Sequence, residues 1–184
     1  LEEFENVIKS TVKILNSDEI VWVSVGSVLY ATAKLALQSN IKVLFGGLGT
    51  EEIFAGYQRH EDSLKNNDFQ AVHKESWNGL KNMWQRDLLR DSTIAKHLNI
   101  ELRTPYMDLE VIKASMSINP IYKIDKINKK IILREIAQDF GLEKEFAFRP
   151  KKAAQYGSNF VKGIDKLAKK YGFTAKKEYL KSLL

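Results

Sequence analysis

The sequence predicts an α/β fold of the nucleotide-binding kind, and three observations predict it. Ile41-Lys42-Val43-Leu44-Phe45 is short, apolar and β-branched, as a buried strand is. It runs directly into a glycine turn, Gly46-Gly47-Leu48-Gly49-Thr50. The turn opens onto a helix-forming stretch from Glu51 to Tyr57, and a helical pattern from Ser27 to Leu37 precedes the strand. Helix, strand, glycine turn and helix in that order are the parts from which such folds are built.

The remaining elements follow in chain order. Phe4, Val7, Ile8, Val12 and Leu15 fall at helical spacing and predict a first amphipathic helix over 3–15. Ile20 to Val25 reads as an extended segment, and Ser27 as the cap of the helix to Leu37. Beyond the glycine turn the strands are expected to stop. Val72, Trp77, Leu80, Trp84, Leu88 and Leu89 predict one long helix from Phe69 to about Leu98, with both tryptophans at core spacing. Thr104 to Asp108 is a proline turn, and Asp108 caps a helix to about Ile118, ended by Asn119-Pro120. Helices are expected over 129–140, closed by Gly141, and over 158–171 and 175–183, divided by Gly172.

Composition bounds the function. A chain of 184 residues is long enough to bury a core, and its lack of cysteine excludes disulfides, thiol nucleophiles and zinc–thiolate sites. Unbroken apolar runs such as Val21-Trp22-Val23 are short, which predicts no membrane-spanning helix and no membrane partner. The net charge of +6 is uneven, −3 up to Tyr122 and +9 from Lys123 onward. Three of the clusters in that stretch are lysine doublets of expected helices (Lys129-Lys130, Lys169-Lys170, Lys176-Lys177), the pattern of a solvated basic surface, and only Arg149-Pro150-Lys151-Lys152 sits in a segment with loop chemistry. Arginine is scarce and RNA-binding aromatic signatures are missing, which argues against nucleic acid as a partner.

Each chemical candidate has a plainer alternative. Gly46, Gly47 and Gly49 would let a backbone pass close to phosphate, or simply make a tight turn. Glu51 and Glu52 would hold Mg2+ or a substrate amine, or merely place negative charge in a first helical turn. Asp87, Arg90, Glu101, Arg103 and Asp108 form a dense set of opposite charges that reads first as salt bridges fixing a loop. The three histidines, His60, His73 and His97, have no metal-ligand spacing, and no serine sits in a nucleophile elbow.

Taken together, these motifs resemble the synthetase domain of the asparagine synthetase family, an adenine nucleotide alpha-hydrolase-like (HUP, or PP-loop) ATP pyrophosphatase fold. Val43-Leu44-Phe45-Gly46-Gly47-Leu48-Gly49-Thr50-Glu51-Glu52-Ile53-Phe54-Ala55-Gly56-Tyr57 is similar to the family's strand and S-G-E-G-A-D-E-x-F-G-G-Y loop. Asp87 to Arg90, then Glu101 to Asp108, resembles D-x-x-R followed by E-x-R-x-P-F-L-D, and Arg149-Pro150-Lys151 resembles a C-terminal R-x-K segment. The resemblance implies a cytoplasmic ligase that adenylates a carboxylate, aspartate in the family, with ATP and Mg2+, releasing pyrophosphate before ammonia attacks. It implies that Lys151 stabilises developing charge, that Gly46, Gly47 and Gly49 line the nucleotide and acyl pocket, and that Glu51 and Glu52 lie near the substrate amino group. Asp87, Arg90, Glu101, Arg103, Asp108 and Arg149 enter as structural motif residues.

The chain departs from that pattern in three places. The family's catalytic Glu is Leu48, which accepts no proton; its Asp is Glu51; its opening Ser is Gly46. Leu48, with the Trp84-Gln85-Arg86-Asp87 run and the segment from Arg149 to Ser158, resembles the asparagine-synthetase-like branch. The phosphate-binding S-G-G-x-D-S loop and a leading Cys glutaminase domain do not occur in the chain. The expectation is therefore a C-terminal portion of a synthetase-like domain: 1–66 as the end of the nucleotide-binding part, and 67–184 as a helical part. The alternatives are a subunit completed by another polypeptide, with the glutaminase supplied upstream or separately, and a paralogue that binds nucleotide but has lost the chemistry.

Overall fold

The computed structural model describes residues 1–184, the side chain of Asn66 excepted. The chain is mostly helical and forms two compact units, each assembled from separated stretches. The first comprises 1–44, 88–102 and 151–184, and the second 45–87 and 103–150.

In the first unit, α1 (Glu2–Leu15) and α2 (Ile20–Gln38) pack with α11 (Phe160–Lys170) and α12 (Lys176–Lys181). Their core is Ile8, Val12, Val23, Phe160, Ile164, Leu167, Tyr179 and Leu180. The extended segment expected at Ile20 to Val25 is instead the start of α2. Val23, Ser24, Gly26, Ser27 and Tyr30 are buried at helical intervals, so packing overrides the β-branched local preference and Ser27 lies inside the helix, not at its cap. α2 has 19 residues and only Lys34 as a charge, so by length and composition it is apolar enough to cross a membrane. The expectation drawn from short apolar runs is corrected on that point. Val23 in one core and Ala33 and Ala36 in another, beside Ala95 and Ile100, are the contacts of a core helix.

Gly26 shows why α2 fits. A Cβ there would fall 2.9 Å from Ile94 Cδ1, 3.0 Å from Leu15 Cδ1 and 3.1 Å from Thr11 Cγ2, so the helices meet at a hydrogen atom. Glu5 of α1 is buried and accepts from Lys9 Nζ at 2.6 Å, Tyr171 Oη at 2.6 Å and Lys170 Nζ at 3.2 Å. Its carboxyl titrates at about 2, held down by Lys9 first and Tyr171 second against the opposing effect of burial.

The strands β1 (Val43–Phe45) and β2 (Glu101–Arg103) pair, Glu101 N donating to Lys42 O at 2.8 Å and Gly46 N to Arg103 O at 2.7 Å. Both partners advance together along the chain, so the ladder is parallel. β2 corrects the expectation that strands stop after the glycine turn; Glu-Leu-Arg has no strand pattern, and only pairing makes it one.

In the second unit, Ile53, Phe54 and Met116 form a core with Leu80, Tyr106, Ile112, Ile132 and Leu133. The helix expected from Glu51 to Tyr57 is only α3 (Thr50–Ile53), because Ala55 turns left-handed at φ 54° before α4 (Gln58–Ser63) begins. Asp68 caps α5 (Phe69–Met83) by accepting from Ala71 N at 2.9 Å. The long helix predicted to Leu98 is interrupted by a π-helical turn, Trp84–Leu88, before α6 (Leu89–His97). The wider turn rotates the following face, which corrects the apolar stripe. Met83 and Arg90 point inward, whereas Trp84 is 57% and Trp77 41% exposed. Trp77 lines an open groove of about 550 Å³ with Leu80, Met107, Ile112 and Met116.

Asp108 caps α7 (Leu109–Ser117) as expected, Oδ1 accepting from Glu110 N at 2.9 Å and Val111 N at 3.3 Å. α8 (Ile131–Asp139) and α9 (Lys144–Ala147) follow. α10 (Ala154–Gly157) precedes α11 in the first unit.

Two stability outcomes follow. Gly26→Ala gains about 0.5–1 kcal/mol of helix preference but inserts a methyl where three atoms stand within about 3 Å. The clash dominates, and urea denaturation is expected to show a net loss of about 1 kcal/mol. Lys123 is 1% exposed with no hydrogen-bond partner for Nζ among the described residues, and burial lowers its pKa from 10.5 to about 8. The unfolded chain then holds more protons than the native one between those values, so stability rises from about pH 8 to 10.5. Lys123→Met is expected to raise stability at pH 7 by about 2 kcal/mol and to flatten that rise in calorimetry across the pH range.

Candidate functional site

The glycine turn leaves β1 and enters α3. Gly46 spends its N–H on the β2 ladder. Gly47 O accepts from Thr50 N at 3.3 Å and closely from the Thr50 hydroxyl, which closes the turn before the helix starts. Gly49 needs to be glycine: its φ is +94°, and a Cβ would fall 2.6 Å from Met107 Sδ and 3.3 Å from Tyr106 O. Gly47 is different, because a Cβ there would meet only Thr50 Oγ1 at 3.7 Å. It is exposed and leaves an accessible backbone surface.

The two glutamates of α3 have separate partners. Glu52 is buried, and its Oε1 accepts from Arg86 Nη2 in a close hydrogen bond and lies 3.6 Å from Arg59 Nη2. Arg86 Nε donates to Asp87 Oδ2 at 2.6 Å, and Arg59 Nε pairs with Glu75 Oε1 at 2.7 Å. Tyr57 forms one wall, with the Arg59 guanidinium 3.9 Å and the Arg86 guanidinium 5.4 Å from its ring centroid. Gly79 of α5 makes room, since a Cβ there would sit 3.0 Å from Glu52 Cγ and 3.2 Å from Arg59 Nη2. Burial, then the Glu52 charge, pushes the Tyr57 phenol far up. Burial alone would lower Arg86, but Asp87, Tyr57 and Glu52 hold it above its ordinary value.

Glu51 faces Lys130, Oε1 to Nζ 3.2 Å, with Gly56 beneath both: a Cβ there would meet Glu51 Cγ at 2.9 Å and Lys130 Cδ at 3.1 Å. Lys130 stands at the left-handed residue before α8, φ 59°, and the adjacent Lys129 pairs with Glu61 at 2.6 Å. This doublet is therefore engaged with carboxylates, which corrects its reading as simply solvated charge. The other two doublets also carry ion pairs, including Lys170 with Glu5 at 3.2 Å and Lys177 with Glu19 at 3.3 Å.

The structure brings Gly46, Gly47, Gly49, Glu51, Glu52, Asp87, Arg103, Asp108 and Arg149 into the second unit, and Arg90, Glu101 and Lys151 into the first. Arg103 lies over the Phe45 ring at 5.8 Å. Arg90, 2% exposed, donates to Asp91 Oδ1 at 2.6 Å. Glu101 and Arg149 are exposed; Glu101 enters the β ladder through its backbone, and Arg149 O accepts from Arg134 Nη1 at 3.2 Å. Lys151 is exposed in the segment before α10.

Sequence reasoning missed Arg59, Gly79 and Lys130. Arg59 is 7 positions from Glu52, but the left-handed Ala55 breaks the helix between them. The partners of Gly79 and Lys130 lie 27 and 79 positions away, beyond any local pattern. Arg86 stood inside a recognised run, and its partnership with Glu52 is the one that run could have suggested.

An acidic pair so engaged does not offer the oxygens that Mg2+ requires. Among the described residues no group of three or more His, Cys, Asp or Glu is placed to hold a metal ion. Any metal that travels with a nucleotide would rest on the phosphates, and no role in the chemistry is assigned to it through Glu51 or Glu52.

Comparison with known proteins bears on what the turn is for. The asparagine synthase family matches the chain over residues 1–71 and 67–178. The putative glutamine-hydrolyzing asparagine synthetase 1 of Methanocaldococcus jannaschii is 31% identical over 208 residues, covering 96% of this chain and 38% of that protein. Asparagine synthetase domain-containing proteins of Saccharomyces cerevisiae and Homo sapiens are 32% and 33% identical, over 74% and 68% of this chain. The chain spans only 24% and 20% of those two proteins.

Removing the buried carboxylate tests the cluster. Glu52→Gln leaves two guanidinium groups facing each other, and because both are about a third exposed the expected loss is about 2 kcal/mol, below that of a fully buried pair. Glu110→Gln, which breaks the surface pair with Lys113, is expected to change stability by less than about 0.5 kcal/mol in the same urea titration.

Proposed function

The chain belongs to the asparagine synthase family, and from that membership we propose that the protein carrying it is an ATP-dependent amide ligase with a PP-loop type nucleotide fold. The observation that carries this reading is the glycine turn between β1 and α3, which lies inside the stretch matched to the family and keeps an accessible backbone at Gly47. In the proposed reaction a carboxylate oxygen bonds to the α-phosphorus of ATP as the α–β anhydride breaks and pyrophosphate leaves. Ammonia then attacks the acyl carbon, AMP departs, and the surplus proton passes to solvent. Charge builds on phosphate and acyl oxygens in both stages, so placed cations and backbone donors are the effective means of catalysis.

The chain's own residues have distinct proposed parts. The glycine turn gives the nucleotide and acyl groups close backbone approach. The Glu52–Arg86–Arg59 cluster keeps α3 and its turn in place and does not touch the reacting atoms. By resemblance Lys151, an exposed lysine, supplies positive charge to the developing oxyanion. Leu48 favours a second reading, in which the chain keeps a nucleotide-binding fold and has lost turnover, because leucine neither accepts a proton nor polarises ammonia.

The test uses the whole natural protein with ATP, Mg2+, ammonia and a panel of carboxylic acids, with pyrophosphate release as the readout. Acid-dependent release is expected, and Lys151→Met is expected to lower its kcat about 100-fold while leaving the folding transition unchanged. Absence of release with every acid, in wild type and in Leu48→Glu alike, would overturn the ligase reading in favour of the binding paralogue.

A further inference from the structure

We infer that Asp108 is the carboxylate that meets the ammonium group of an amino-acid substrate, which makes it a specificity-determining residue of the reaction. The inference rests on the ligase reading above and gives the substrate's positive charge its partner. An ammonium carried into a partly closed site costs free energy unless a carboxylate receives it. The helix that follows the glycine turn carries Glu51 and Glu52, and the segment packed on the turn carries Asp108.

The two glutamates, the pair expected near a substrate amine, have their charge committed elsewhere. Glu52 is 1% exposed and faces the Arg86 and Arg59 guanidinium groups. Glu51 is paired with Lys130 at 3.2 Å. Asp108 differs from both. It is exposed, and no Lys or Arg pairs with it among the described residues. Both hydrogen bonds that it accepts as the cap of α7 fall on Oδ1, from Glu110 N at 2.9 Å and Val111 N at 3.3 Å. Oδ2 takes part in neither, so capping and receiving a cation use different oxygens.

The backbone brings this carboxylate to the turn and holds it there. Met107 Sδ lies 2.6 Å, and Tyr106 O 3.3 Å, from where a Cβ of Gly49 would stand. Asp108 follows one Cα step later, about 3.8 Å beyond Met107. Its N–H donates to Pro105 O at 3.2 Å, and its Oδ1 is fixed on the first turn of α7, so the carboxylate is ordered before any substrate arrives. Its neighbours Met107 and Leu109 both line the open apolar groove below Trp77. Hydrocarbon on either side reduces the water that would screen a charge pair at Asp108. The acid selected in this way is an amino acid, with its carboxyl at the glycine turn and its ammonium at Asp108.

Asp108→Asn separates the two roles, because asparagine caps a helix as well as aspartate does but carries no charge. Pyrophosphate release by the whole protein is measured with aspartate and with succinate, which lacks only the amine. If another acid of the panel is the one turned over, it is compared with its own counterpart differing by the amine. The wild type is expected to prefer the amino acid. Asp108→Asn is expected to raise the KM for the amino acid about tenfold, the loss of one charge-assisted contact, with kcat, the KM for ATP and the thermal unfolding midpoint little changed. Its kinetics with the amine-free acid are expected to stay within about twofold of wild type. Asp108→Ser, a second capping variant, is expected to behave alike. Glu110→Gln, two residues further on, is expected to leave the amino-acid KM unchanged.

An amino-acid KM within about twofold of wild type in both capping variants would overturn the inference and leave the ligase reading standing. So would a wild type that prefers the amine-free acid. An equal fall with both acids, the mark of a purely structural cap, would overturn it as well. Absence of release by the wild type with every acid of the panel would remove the ligase reading, and this inference with it.

Discussion

A carboxylate sealed from water is costly unless positive charge meets it, and Glu52 is such a carboxylate. Much of the second unit near the turn can be understood as meeting that one demand. Arg86 approaches from the π-helical turn after α5, Arg59 from α4, and Tyr57 provides the aromatic face along which both guanidinium groups lie. Gly79 is small because α5 must come close enough to close the cluster. The irregular backbone nearby has the same origin. Ala55 turns left-handed and shortens the helix after the glycine turn, so that Tyr57 and Arg59 fall on the side of Glu52.

Glu51 makes the adjoining case with a weaker and more exposed pair. Lys130 reaches it from 79 residues away, at the left-handed residue that starts α8, and Gly56 lets the two side chains lie flat. The two neighbouring acids therefore differ in what they can do. Glu52 fixes the helix. Glu51 remains nearer the surface, paired with Lys130. A pair of adjacent glutamates in a first helical turn looks symmetrical in sequence, and burial separates them.

Much of the molecule was legible in the residue order. The amphipathic pattern of α1, the strand before the glycine turn, and the Asp108 cap of α7 all follow from local chemistry acting over a few residues. What escaped was set at a distance. β2 is a strand only because β1 bonds to it, and Ile20 to Val25 is helical because its small and apolar residues fill a helix interface. The π-helical turn shifts the register only after Met83, and Trp77, which precedes it, lines an open groove instead of the core. Of the site, the turn and its acids were visible, but the cations that neutralise those acids were not.

The sequence by itself determined the family, since three ordered motifs and the family match are properties of residue identity and spacing. It also determined where Gly49 and Leu48 stand and which residues carry charge. Only the tertiary structure decided which charges are spent. Whether a glutamate can receive a substrate amine depends on its exposure and on the cations within about 4 Å, and those come from helices far along the chain. Coulomb energy depends on distance in space and on local solvent, and the order of residues fixes neither until the chain has folded.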